Sequence, residues 1–105
     1  MDSHISYELA IAARELAKRF IRPYVERGDS FESLKKSHMG MGFTRESVCI
    51  GGWMNGKSYS TDFIIVSRVG GQTANQTFKL RDIFREVLGE VKSAEAVEDF
   101  KLEPW

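Results

Sequence analysis

The sequence predicts an α+β fold: a small antiparallel sheet built on a β-hairpin and covered by N-terminal and C-terminal helices. Three observations carry that expectation. Asn55-Gly56 stands between two strand-like runs, and Asn-Gly is the strongest short hairpin signal because a type I′ turn needs φ > 0 at both central residues. Apolar residues recur at i, i+3, i+4 spacing near the start of the chain and again after Leu80, the mark of helices with one buried face. The chain has 105 residues, 42% of them hydrophobic, enough for one core and too few for two. The expected order is α-α-β-β-(β)-α within one α+β domain over 1–105, with 101–105 as a C-terminal tail ending in Pro104-Trp105.

The first helix is placed over 6–22, with Ser3 or Ser6 as its cap. Leu9, Ala13, Leu16, Ala17, Phe20, Ile21 and Tyr24 form its apolar stripe. Pro23 lacks an N–H and disfavours α geometry at Arg22, so the helix is expected to end or kink there, with Gly28 closing the following turn. Asp29 or Ser30 can cap a second, short helix over 30–39, with Gly40 just past its end. Met39-Gly40-Met41-Gly42-Phe43 reads as a loop, free in backbone and apolar in side chain.

The hairpin strands are placed over about 47–54 and 57–69. A two-residue turn pairs Met54 with Lys57, Gly52 with Tyr59, Ile50 with Thr61 and Val48 with Phe63. Alternation then puts Val48, Ile50, Met54, Tyr59, Phe63 and Ile65 on the face that meets the helices. Cys49, Trp53, Ser58, Ser60, Asp62, Ile64 and Val66 fall on the other. Gly51-Gly52 suggests a bulge, which would shift this register. The stretch 70–75 is a loop by composition. Residues 76–80 read either as a third strand or as the first turn of the next helix. Leu80, Ile83, Phe84, Val87, Leu88 and Val91 place that helix over 80–92, with a further helical turn through Phe100 as its continuation. Gly89 costs it about 1 kcal/mol relative to alanine.

Fifteen basic residues balance fifteen acidic ones, so no global field draws the chain to nucleic acid or an anionic membrane. A lone cysteine, Cys49, excludes an intrachain disulfide and fits a reducing compartment. The longest strongly apolar run, Phe63-Ile64-Ile65-Val66, is far short of the roughly 20 residues that span a bilayer. A cytoplasmic protein without membrane contact is expected.

The catalytic inventory is thin. His4, His38 and Cys49 show none of the spacings that cluster metal ligands, and no cofactor is expected. Cys49 with His38 makes a nominal nucleophile and base, without a nucleophile elbow or family signature around it. Gly40-Met41-Gly42 and Gly70-Gly71 are not followed by a helix start, as a phosphate cradle requires. An enzyme is therefore not expected.

Two binding readings remain. Trp53, Met54 and Tyr59 near the hairpin tip, with Met39 and Met41 in the glycine-methionine loop, are residue types enriched at interfaces; the alternative is that each packs on the domain's own surface. They favour a small protein-binding module that docks on a larger protein or complex as inhibitor, adaptor or subunit, in the manner of bacterial or phage accessory proteins by analogy of size alone. An open strand edge offers a template for a partner strand, and an isologous homodimer could bury Trp53. The other reading is nucleic-acid binding through Arg14, Lys18, Arg19 and Arg22, where Arg14, Lys18 and Arg22 recur every four residues as a basic ridge. That ridge could equally meet an acidic partner, or be only the solvated face of an amphipathic helix.

Overall fold

The computed structural model describes the backbone of residues 3–36, 40–42 and 45–101, and the side chains of 7–36 and 45–95. The order is α1 (Ser3–Glu26), α2 (Phe31–Lys35), β1 (Gly40–Gly42), β2 (Ser47–Met54), β3 (Lys57–Val69), β4 (Gln72–Lys79) and α3 (Leu80–Lys101). The strands form one antiparallel sheet in the order β1-β2-β3-β4. The α+β fold with a hairpin at its centre is as expected, and the hairpin strands run between the expected residues.

Pro23 does not end α1, which continues to Glu26. Pro23 is exposed, and the turn beyond it puts Val25 in the core and packs Tyr24 against it. That burial outweighs one missing backbone hydrogen bond. The helix ends at Gly28 instead. Its φ of 92° lets the Gly28 N–H donate to Val25 O at 3.0 Å and the Asp29 N–H to Tyr24 O at 3.0 Å, the paired bonds of a Schellman cap. Ser30 then caps α2, its Oγ accepting from the Ser33 N–H at 3.1 Å. This second helix is shorter than expected, since Lys36 already closes it. Gly40 is no helix terminus. Gly40, Met41 and Gly42 pair with Cys49, Val48 and Ser47 as an edge strand, so the stretch expected to be a loop is partly sheet.

Gly70 and Gly71, with φ of 56° and 86°, make a second two-residue turn, and β4 begins directly at Gln72. The polar run 72–75 is thus strand rather than loop: the glycine pair supplies the φ > 0 that a tight hairpin needs, and an edge strand tolerates polar residues on both sides. The ambiguous 76–80 stretch divides cleanly, with Lys79 ending β4 and Leu80 opening α3.

The core lies between one face of the sheet and the helices. It joins Ala13, Leu16, Ala17 and Ile21 of α1 to Ile83, Val87 and Val91 of α3 over Val48, Ile50, Ile64 and Val66. Each fully buried Ile or Leu here is worth roughly 1.5–3 kcal/mol. α2 leans on α3 through Phe31 and Phe84, whose ring centroids are 5.6 Å apart. Gly89 lies exposed in α3 with nothing within 4 Å of where its Cβ would stand. Gly89→Ala is accordingly expected to raise stability by about 0.5–1 kcal/mol, read as a higher urea midpoint at unchanged slope.

Candidate functional site

The distal half of the central hairpin is a two-stranded arm. Among the described residues, β1 reaches Cys49 of β2 and β4 reaches Phe63 of β3, and residues 52–59 pair only with each other. Asn55 and Gly56 form the turn with φ of 54° and 77°. Near the tip the register is the expected one: Met54 opposite Lys57, Trp53 opposite Ser58, Gly52 opposite Tyr59.

Below the tip the register changes. Ile50 faces Ile64 and Val48 faces Val66, not Thr61 and Phe63. Gly51 stands alone opposite the stretch 60–63. The extra residues in β3 exchange its faces. Ile64 and Val66, expected on the uncovered face, are buried beneath the helices. Phe63 and Ile65, expected under the helices, leave that cluster. Phe63 meets Tyr59 edge-on at 5.8 Å, while Ile65 is 1% exposed yet stands apart from the helix-covered core.

Trp53, Met54 and Tyr59 are therefore brought together on one arm, on its two faces. Trp53 is 72% exposed, across from Ser58. Tyr59 lies opposite Gly52 and against Phe63, and Met54 is half-buried. Met41 belongs to the edge strand beside Val48, at the arm's base, and its side chain, like all of Met39, lies outside the described residues.

The open edges are poor templates for strand addition. Beyond β1, β2 carries Gly51 and Gly52 at φ of 73° and 117°, and β4 carries Asn75 at φ of 48°, where its register with β3 shifts. Such interruptions blunt an edge.

The basic ridge has carboxylate partners. Arg14 bonds Glu86 at 2.7 Å; Lys18 reaches Glu86 at 2.7 Å, Glu90 at 2.6 Å and Glu15 at 3.3 Å; Arg22 pairs with Glu90. Arg19, on another side of α1, pairs with Glu46 at 2.8 Å. Glu86 and Glu90 are one turn apart on α3, matching the four-residue step of the ridge, so α1 and α3 run side by side in the same sense. Lys18 is only 8% exposed. The Glu86-Glu90 spacing was present in the sequence as a signal; what it lacked was any indication that the two helices are neighbours.

These bonds shift the charged groups. Hydrogen bonds to Glu86 first, and then to Glu90, raise the Lys18 ammonium above its ordinary value against the opposing effect of burial. Lys18, seconded by Arg14, holds Glu86 below the usual carboxylate range, and Lys18 does the same for Glu90. The two carboxyls titrate lower in the folded than in the unfolded chain. Their stabilisation is therefore present above the unfolded value of about 4.3 and is lost as pH falls through the folded values. For Lys18 the sign reverses: its contribution is complete below about 10.4 and fades as pH rises toward its raised folded value. Urea unfolding across a pH series is expected to show a plateau between these limits, and Glu86→Gln is expected to flatten the acid limb. An unchanged acid limb would show that the ion pairs between α1 and α3 do not set it.

Cys49 is half-buried, burial pushes its thiol up, and Sγ donates to Gly51 O at 3.1 Å. His38 lies outside the described residues. No group of three or more potential metal ligands occurs among the described residues, and no described helix is long and apolar enough to cross a membrane. An open cleft of about 420 Å³ beside the Arg19–Glu46 pair is floored by Leu16 and Val69, with charges of both signs on its rim. Tyr7 and Ile11, 67% and 49% exposed one turn apart on α1, form a small apolar patch off the core stripe that the sequence reading passed over.

The fold thus defines an α+β domain in which two parallel helices cover a four-stranded antiparallel sheet with a projecting hairpin arm. No family model matches this chain, and no curated protein or solved structure matches it either.

Proposed function

We propose that this chain is a non-enzymatic protein-binding module that docks on a larger protein or complex through the tip of its central hairpin, as an inhibitor, adaptor or subunit. The observation that carries the reading is Trp53, a large side chain left 72% exposed near the end of an arm whose described pairings with β1 and β4 lie at its base. A tryptophan held in water gains by being covered, and aromatic anchors of this kind dominate interface energetics. Met54 and Tyr59, on the opposite face of the arm, supply further apolar area to a partner that wraps the tip. The ridge of Arg14, Lys18 and Arg22 is engaged by Glu86 and Glu90, which weighs against nucleic acid as the partner, since phosphates would have to compete with carboxylates already in place. A cytoplasmic setting fits the reduced lone cysteine.

Trp53→Ala is expected to leave folding stability within about 0.5 kcal/mol, as for a surface change. The same variant is expected to lose roughly tenfold or more in affinity for the partner, the scale of a hot spot near 2 kcal/mol. The check is affinity capture from native extract with wild type and variant, with light scattering to detect a second copy as the partner. Absence of both a stoichiometric partner and self-association overturns the reading.

A further inference from the structure

We propose that Asn55 is a site of spontaneous deamidation, so that the hairpin tip converts with time from a neutral amide to a carboxylate. The proposal does not depend on what the tip binds. Asn55 and Gly56 are both exposed, and nothing lies within 4 Å of where a Gly56 Cβ would stand. Gly56 thus has no side chain to shield its nitrogen, and the space where one would stand is open. The turn also sits where, among the described residues, no strand flanks β2 or β3, so it can open locally at far less cost than global unfolding.

Opening is required, because the Gly56 nitrogen must reach Asn55 Cγ. Once deprotonated, that nitrogen attacks Cγ, and a C–N bond forms as the Cγ–Nδ2 bond breaks. Ammonia leaves, carrying the proton taken from Gly56, and a cyclic imide remains. Water then opens the imide at one carbonyl or the other. One product is aspartate on an unchanged backbone. The other is isoaspartate, in which the main chain runs through the side-chain carbon. Either takes the formal net charge of the chain from zero to minus one, two residues from Trp53. Isoaspartate also lengthens the backbone at a turn whose two-residue geometry sets the hairpin register.

Asn75 is an internal comparison. It too is exposed with a positive φ of 48°, but Gln76 follows it, and Gln76 is paired with Val66 inside the sheet.

The experiment incubates the folded chain at mildly alkaline pH and physiological temperature, then maps peptides by mass and separates charge variants, with Asn55→Asp as the standard for the aspartate product. A denatured sample is run in parallel. Conversion at Asn55 in the folded chain, several-fold faster than at Asn75 and rising with pH, is the expected result. Conversion at Asn55 no faster than at Asn75 overturns the proposal. So does conversion confined to the denatured sample, since the turn would then protect the amide.

Discussion

Lys18→Met is expected to destabilise the fold by about 1–3 kcal/mol, the range for leaving charged hydrogen-bond partners short of a donor. Methionine keeps most of the stem and its packing, so the loss reports the ammonium. Glu86 and Glu90 would then share Arg14 and Arg22 alone, two like charges one turn apart on α3. The upper end is restrained because both carboxylates are about a third exposed, 35% and 38%, and water can take up part of the deficit. Removing the carboxylates as well behaves differently. Lys18→Met combined with Glu86→Leu and Glu90→Leu is expected to recover part of the loss, since no carboxylate is then left short of a donor and water can solvate Arg14 and Arg22, 39% and 37% exposed. Urea unfolding of the single, paired and triple variants measures the coupling. A Lys18→Met variant within 0.5 kcal/mol of wild type would mean that the ammonium contributes nothing net to fastening α1 to α3.

Gly51→Ala is expected to cost a similar amount, about 1–3 kcal/mol, for a different reason. At φ of 73° the residue sits in the left-handed region, where a Cβ costs roughly 1–2 kcal/mol. The added atom would also stand 3.2 Å from Thr61 Cγ2 and 3.4 Å from the Ser60 and Thr61 backbone. The two strands approach there because one residue answers the stretch 60–63, so relief requires Thr61 and the strand that carries it to give way by a few tenths of an ångström. Thermal unfolding gives the loss. A change in near-UV circular dichroism from Tyr59 and Phe63, whose rings meet at 5.8 Å, would show that the arm has moved. A variant as stable as wild type would place the bulge elsewhere.

The same bulge explains where sequence reading succeeded and where it stopped. Asn55-Gly56 dictates a two-residue turn by its backbone chemistry, so the strand limits and the pairs nearest the tip were legible. The residues beyond Gly51 were not, because a Gly-Gly pair announces an irregularity without stating how many residues it absorbs. Phe63, Ile64, Ile65 and Val66 are all apolar, so no contrast between neighbours marks which pair faces the helices. Pro23 failed as a stop signal because the burial of Val25 could not be weighed before the core was known. The candidate site divides the same way. Trp53, Met54 and Tyr59 were legible as a group from the turn, whereas Glu86 and Glu90, the α3 partners of Arg14, Lys18 and Arg22, lie 68 to 72 residues away and required the tertiary arrangement.

That separation also governs the order in which the molecule can be assembled. The two hairpins of β2, β3 and β4 are local and can close as soon as their residues exist, on the microsecond scale of such events. The pairing of α1 with α3 must instead close nearly the whole described chain, with a loop entropy that nothing recovers until both helices are present. During synthesis α1 therefore precedes α3, and until α3 is made Lys18 lacks Glu86 and Glu90 while the apolar stripe of α1 has only the sheet to pack on. Docking of α3 on α1 is accordingly the expected late step of folding, because it carries the largest loop-closure cost.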